Sequence, residues 1–277
     1  MLLAENPAKI VGVVINFHEK YEAHVLEDAF IASALNALNA ETARRGLQMM
    51  VRTVNDTDEI VSFATMWNLE GLVLIGFCSA DYNHLRENVR IPFAVYDACG
   101  VIAERVCAVN IDDRHGGFQV GEYFRLCGHQ RALCLSDNDI DMDLERWKGF
   151  REGFGHGAEF MMIPMVKAER IAFYREKLSE IRSFSAVFAV SDYYAVDLIH
   201  FLQSSGVDVP GEISVAGFDD TPLCGMVYPS LTSVRQDNAE RARAALDAIV
   251  KIRAGEPFET VITLSTSLVV RDSTRNL

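Results

Sequence analysis

Short apolar runs alternate with longer amphipathic stretches along most of the chain. The apolar runs have the length of buried strands, and they fall at 10–15, 48–54, 71–75, 93–96, 107–111, 132–135, 160–163, 186–190 and 213–217. Apolar positions recur at helical spacing at 26–45, 58–67, 113–126, 144–154, 171–181, 195–202 and 238–254. Strands that alternate with helices predict an α/β fold with parallel sheets built from βαβ units.

The chain is long enough for two such sheets. At 277 residues it exceeds the usual size of a single core. The alternating pattern also forms two series end to end, at roughly 10–127 and 130–235. We therefore expect two lobes, and no linker rich in proline, glycine or serine separates them.

The most informative polar residues follow the strand predicted at 213–217. Phe218, Asp219 and Asp220 come directly after Gly217, just past the carboxyl end of that strand. Open α/β sheets bind ligands in the crevice outside the carboxyl ends of their strands. An aromatic ring can cover an apolar sugar face, and a carboxylate accepts hydrogen bonds from hydroxyl groups. This pattern favours a polyol ligand.

The order of motifs around this strand resembles the effector-binding core of LacI/GalR-family bacterial transcription regulators. The motifs are Gly217-Phe218-Asp219, the strand Pro229–Val234 with Gln236 after it, and the helix that follows. Further similar pieces are Gly128-His129, Arg146–Phe150, Ala189–Asp192 and Leu268–Ser273. Each is weak alone, but their order is specific and covers nearly the whole chain.

This resemblance implies two Rossmann-like lobes with helix-flanked parallel sheets, the type I periplasmic-binding-protein fold. It places residues 9–128 and 237–264 in the N-terminal lobe, and 129–236 and 265–277 in the C-terminal lobe. It also implies a small-molecule effector, a sugar, and a homodimer. Family members bind operator DNA through an N-terminal helix-turn-helix, which is not among these residues, so we expect the sequence to be part of a longer regulator.

The candidate effector-binding residues lie at or just beyond predicted strand ends, or match the family motifs. They are Asn16, Phe17, Tyr21, Phe77, Tyr96, Arg146, Ser191, Asp192, Phe218, Asp219 and Gln236.

Several of these residues have a plainer interpretation. Arg146 could be a surface arginine that pairs with Asp143 or Glu145, although the resemblance directs it into the effector cleft. Asp219 could be a turn residue, since Asp and Pro are typical of turns. Asp192 could equally cap the next helix through backbone N–H groups.

An apolar segment follows the site strand and is the candidate dimer contact. It contains Leu223, Met226, Val227 and Tyr228 in a connection between strands. Connections usually run over the surface, and an apolar surface segment needs cover. The resemblance favours cover by a second copy of the chain, and the alternative is that the segment folds back on its own lobe.

Composition excludes several classes of function. The net charge of −13, from 26 basic and 39 acidic residues, argues against a nucleic-acid or anionic membrane surface. The sequence contains no transmembrane run, no signal peptide and no Cys-x-x-Cys pair, so we expect a reduced, cytoplasmic protein. We expect no metal and no cofactor, because the histidines are scattered and no phosphate-binding glycine loop opens a helix.

Two other functions compete with the regulator. A free sugar-binding transport protein could share this fold, but the missing signal peptide and the unpaired cysteines argue against it. A glycoside hydrolase would use paired carboxylates, yet no nucleophile and base pair stands out. We therefore expect a binding protein and not an enzyme.

Overall fold

The fold consists of two α/β units, each built around a six-stranded sheet. The structure is a computed structural model that describes residues 9–16, 25–54, 56–77, 79–98 and 105–277. Unit 1 contains the described residues of Met1–Glu27, Ile31–Ile111 and Asp237–Leu264. Unit 2 contains Asp28–Phe30, Asp112–Gln236 and Ser265–Leu277.

Unit 1 carries the first sheet, in the order β11-β5-β4-β3-β1-β2, with every neighbouring pair parallel. Its strands are β1 (Ile10–Asn16), β2 (Gln48–Val54), β3 (Gly71–Ile75), β4 (Phe93–Tyr96), β5 (Val106–Ile111) and β11 (Val261–Leu264). Its helices are α1 (Ala29–Arg44), α2 (Thr57–Met66), α3 (Ser79–Asn88) and α9 (Asn238–Ala254). Every residue of β3 and β4 is buried, which explains why these strands have no polar alternation.

Unit 2 carries the second sheet, in the order β12-β10-β9-β8-β6-β7. Its strands are β6 (Ala132–Ser136), β7 (Ala158–Met162), β8 (Ala186–Ala189), β9 (Ser214–Asp219), β10 (Thr232–Arg235) and β12 (Ser267–Val269). Its helices are α4 (Asp113–Leu126), α5 (Asp141–Phe154), α6 (Lys167–Ile181), α7 (Asp192–Ser204) and α8 (Leu223–Met226). All pairs are parallel except β10 with β12, so the predicted parallel α/β architecture is confirmed.

The first boundary between the units differs from the prediction. The chain passes from unit 1 to unit 2 between Ile111 and Asp112, whereas the sequence interpretation placed the passage at residue 128. The reason is that α4 packs backbone to backbone against α5. A Cβ built at Gly117 would overlap the carbonyl oxygen of Arg146, and one built at Gly149 would overlap that of Arg114.

Candidate functional site

The candidate site lies at the carboxyl edge of the second sheet, in unit 2. Asp219 is the last residue of β9, and Gln236 follows β10, the strand that pairs with it in parallel. Val190 follows β8 on the other side of β9. Parallel strands bring their carboxyl ends to one edge, which is where open α/β sheets bind ligands.

Arg146 supplies a buried cation to this site. It is 7% exposed; its Nε donates to Asp113 Oδ1 at 2.7 Å, and its Nη1 donates to the Val190 carbonyl at 2.7 Å. Burial opposes the charge, but the carboxylates of Asp113 and Asp219 outweigh it and raise the pKa of Arg146 above its ordinary value. The guanidinium therefore stays charged, and the surface interpretation of this arginine is wrong.

Phe218 lies directly beneath Arg146. The guanidinium carbon is 3.8 Å from the ring centroid, and the ring is 0% exposed. A Cβ built at Gly116 would come within 2.6 Å of the ring, so this helix residue must stay small. The expected role of Phe218 as an open stacking face for a sugar is not what the structure has: the ring supports Arg146 through a cation–π contact.

Asp219 has both an unusual backbone and a perturbed carboxyl group. Its φ is 115°, an uncommon value for a residue with a side chain. Its Oδ1 accepts a hydrogen bond from Gln236 Nε2 at 2.6 Å. Burial raises the pKa of Asp219 well above its ordinary range; Asp192 adds to the rise, and Arg146 opposes it. Asp219 is thus a buried carboxyl group held in one orientation.

The turn after Asp219 is fixed by its neighbour Asp220. The Asp220 carboxylate accepts from Arg235 Nε at 2.6 Å and from Arg271 Nη2 at 2.5 Å. The Asp220 backbone N–H donates to Ser233 Oγ at 3.0 Å. Since backbone at positive φ is sparsely populated by residues other than glycine, these three contacts maintain the conformation that orients Asp219.

Asp192 joins the same turn to α7. Its carboxylate accepts from the Thr221 backbone N–H at 2.7 Å, Thr221 Oγ1 at 3.0 Å, Cys224 Sγ at 3.1 Å and Ser233 Oγ at 2.6 Å. Burial raises the pKa of Asp192 to about 6, and these hydrogen bonds oppose the rise. The cap of α7 is instead Ser191, whose hydroxyl accepts from the Tyr194 N–H at 3.4 Å. Asp192 and Ser191 therefore support the site turn and the helix start.

The candidates from the N-terminal part of the chain are positioned differently. Asn16 ends β1 and is half-buried, while Phe77 is part of the hydrophobic core beside β3. Tyr96 is buried at the end of β4, with the guanidinium carbon of Arg241 4.2 Å from its ring centroid. Phe77 and Tyr96 are therefore core residues of unit 1. Phe17 and Tyr21 lie outside the described residues.

Sequence reasoning missed Asp113, Ser233 and Arg271. Asp113 stands beside the Asp112 cap of α4, a position where acidic residues are common for helix stability alone. Its link to Arg146 spans 33 residues, so no local pattern reveals it. Within the described part of the chain, no cluster of three or more His, Cys, Asp or Glu residues could hold a metal ion.

The model of the periplasmic binding protein-like domain family matches residues 122–274. The HTH-type transcriptional regulator CelR of Thermobifida fusca is 27% identical over 260 residues, which are 89% of this chain and 76% of CelR.

Solved structures have the same fold. The transcriptional regulator CelR–cellobiose complex superposes with a TM-score of 0.81 at 23% identity, over 97% of this chain and 86% of that one. A dimeric Lac repressor with an 11-residue C-terminal deletion superposes with a TM-score of 0.82 at 18% identity, over 96% of this chain and 98% of that one.

The matched family model spans more than half of the chain. The chain therefore belongs to the periplasmic binding protein-like domain family. Its similarity to LacI/GalR-type transcriptional regulators extends over most of the chain. None of the helices in the described part of the chain combines the length and the apolar character needed to cross a membrane.

Proposed function

We propose that the chain binds a sugar in the unit 2 site and serves as the effector-binding and dimerising part of a transcription regulator. The supporting observation is a buried donor and a buried acceptor at the same sheet edge. Within the described residues, Arg146 Nη2 makes no hydrogen bond, and Asp219 interacts electrostatically with the Arg146 guanidinium. A sugar hydroxyl can donate to Asp219 and accept from Arg146 at once.

The site is proposed to bind its ligand without converting it. Asp219 Oδ1 and the Asp192 carboxyl group are committed to protein contacts, and the two residues are not arranged as a nucleophile with its base. Binding would shift the population towards the conformation with higher affinity for the sugar. We assign contact with operator DNA to a helix-turn-helix segment outside this acidic sequence. We also propose that the regulator is cytoplasmic.

A thermal-shift screen followed by calorimetry tests this function. The panel contains cellobiose, D-glucose, D-ribose and free nucleobases. We expect at least one sugar to raise the melting temperature, because a ligand that binds only the native state stabilises it. Asp219→Asn keeps the acceptor for Gln236 but loses the second carboxylate oxygen, so the affinity for that sugar should fall tenfold or more, about 1.5–3 kcal/mol.

Two results would contradict the proposal. One is a panel in which no sugar shifts the melting temperature. The other is chemical conversion of the bound sugar, detected by chromatography after incubation with the protein.

We also propose that the segment from Leu223 to Tyr228 forms a homodimer contact. Its start is the short helix α8, where Leu223 and Val227 are half-buried while Met226 is 79% exposed and Tyr228 is 86% exposed. The two exposed side chains do not fold back on their own unit, so the intramolecular alternative does not hold for them. A two-fold interface would bury this patch against its own copy.

We expect Met226→Asp and Tyr228→Asp each to weaken the dimer, since a carboxylate would have to be buried without a partner. Multi-angle light scattering at micromolar concentration measures the mass. Met66→Asp is the matched control, because Met66 is 71% exposed at the end of α2 in unit 1. A monomeric unmodified chain, or a dimer that Met66→Asp weakens equally, would reject this interface.

A further inference from the structure

The effector site of unit 2 is surrounded by helix N-termini, which usually attract phosphate. α4, α5 and α7 all begin beside the site: Asp113 in the first turn of α4 pairs with Arg146 of α5, and Asp192 begins α7. A helix N-terminus presents unpaired N–H groups and a positive dipole end, which together bind anions. Such a site would accommodate a sugar phosphate as readily as a free sugar if these ends were open.

Two of these N-termini are capped by a side chain of the protein itself, and the third carries acidic residues in its first turn. On α4, Asp112 Oδ1 accepts from the His115 N–H at 2.9 Å. On α5, Asp141 and Asp143 occupy the first turn. On α7, Ser191 caps the helix and Asp192 follows it. The positive ends of the helix dipoles are therefore compensated by internal side chains and not left for an external anion.

The cations of this edge are also paired with carboxylates of the protein. Arg146 is paired with Asp113 at 2.7 Å and lies 3.9 Å from Asp143. The other basic residues along the edge share two carboxylates: Arg235 and Arg271 with Asp220, and Lys167 and Arg170 with Asp197.

The remaining carboxyl groups make the site resist negative charge. Burial raises the pKa of Asp219 and that of Asp192, and the Asp192 carboxylate further disfavours ionisation of Asp219. Three carboxyl groups act on the guanidinium of Arg146, those of Asp113, Asp143 and Asp219. An incoming phosphate or carboxylate would meet this excess of acidic groups in a buried setting, where charges are weakly screened.

We propose that the part of the effector bound by unit 2 is uncharged, so that the site rejects the phosphorylated and acidic forms of the sugar it recognises. This inference rests on the proposed function, and it narrows the effector to a free sugar. A free sugar must be supplied by uptake without phosphorylation or by hydrolysis of a larger saccharide. The protein would then respond to the sugar before the sugar is first phosphorylated.

Matched ligands test the proposal by calorimetry. The pairs are D-glucose with D-glucose 6-phosphate and D-ribose with D-ribose 5-phosphate, and 6-O-acetyl-D-glucose is a bulky, uncharged control. We expect the phosphate ester to bind at least about 100-fold more weakly than its free sugar. A free energy of about 1.4 kcal/mol changes the affinity roughly tenfold, and the repulsion between charges in a partly buried site is larger than that. The acetyl ester should bind more tightly than the phosphate ester.

Charge variants separate electrostatic from steric exclusion. Asp113→Asn removes the carboxylate that compensates Arg146. The preference for the free sugar over its phosphate ester should therefore fall at least about tenfold. Asp143→Asn should also lower this preference, and it replaces Asp113→Asn in the experiment if that variant does not fold.

The outcomes separate this inference from the proposed function. A phosphate ester that binds the unmodified protein as tightly as its free sugar overturns the inference and leaves sugar binding intact. The inference is also overturned if the acetyl ester binds as weakly as the phosphate ester. It is likewise overturned if the preference for the free sugar over its phosphate ester is unchanged in both variants. If neither member of any pair binds and no other sugar does, the proposed function fails and the inference fails with it.

Discussion

Arg146→Ala is expected to abolish sugar binding and to lower the free energy of unfolding by about 3–5 kcal/mol. The loss of binding follows from removal of the donor beside Asp219. The loss of stability follows because Asp113, which is buried, would lose the guanidinium that pairs with it at 2.7 Å. The Val190 carbonyl would also lose its donor, and Phe218 the cation above its ring.

A double variant separates the two effects. Arg146→Met with Asp113→Leu replaces the buried ion pair by apolar side chains, an exchange that is often neutral or stabilising. Chemical denaturation should show most of the lost stability restored, whereas calorimetry should still show no binding. If the double variant binds sugar like the unmodified protein, Arg146 is not a ligand residue.

Gly149→Ala is expected to destabilise unit 2 by about 3 kcal/mol or more, at the upper end of the cost of overpacking. The new methyl group would overlap the carbonyl oxygen of Arg114 on α4, which is backbone and has little room to move. Relief requires α4 and α5 to separate, and separation would also draw Asp113 away from Arg146. Sugar binding should therefore weaken together with stability.

Gly225→Ala provides the matched control in the same unit. No atom lies within 4 Å of a Cβ built at Gly225, so the same substitution should change stability by about 0.5 kcal/mol or less. Urea denaturation of both variants measures the difference. Equal stabilities would show that the close approach of α4 and α5 is not what holds them together.

The sequence predicts the central strands of both units well because they are buried on both faces. Runs such as Gly71–Ile75 and Ala132–Ser136 are apolar with little interruption, and the structure buries all their residues. The helix α3 was not predicted, since Ser79–Asn88 contains too few apolar residues to show a helical period. The helix α8 has only 4 residues, which is too short to show a helical period, so the sequence interpretation treated it as a connection.

The candidate site was predicted only where local position determines it. Asp219 and Arg146 could be named because one follows a strand and the other begins a family motif. The covering of Phe218 by Arg146 depends on packing between α5 and β9, which are far apart in the sequence. The place of α4 in unit 2 depends likewise on a crossing of two helices, and periodicity within α4 carries no information about its partner.

The arrangement of the chain has a consequence for biosynthesis. Unit 1 requires residues 237–264 and unit 2 requires residues 265–277, so unit 1 is incomplete until residue 264 has been synthesised and unit 2 until residue 277 has been synthesised. The last residues are structural: Arg271 holds Asp220, and Ser273 Oγ donates to the Val215 carbonyl at 2.6 Å. Domains made of one continuous segment can fold on the ribosome one after the other. Here we expect a nascent chain to acquire a competent effector site only after residues 265–277 have left the ribosome, so a chain that ends before residue 265 would not sense its ligand.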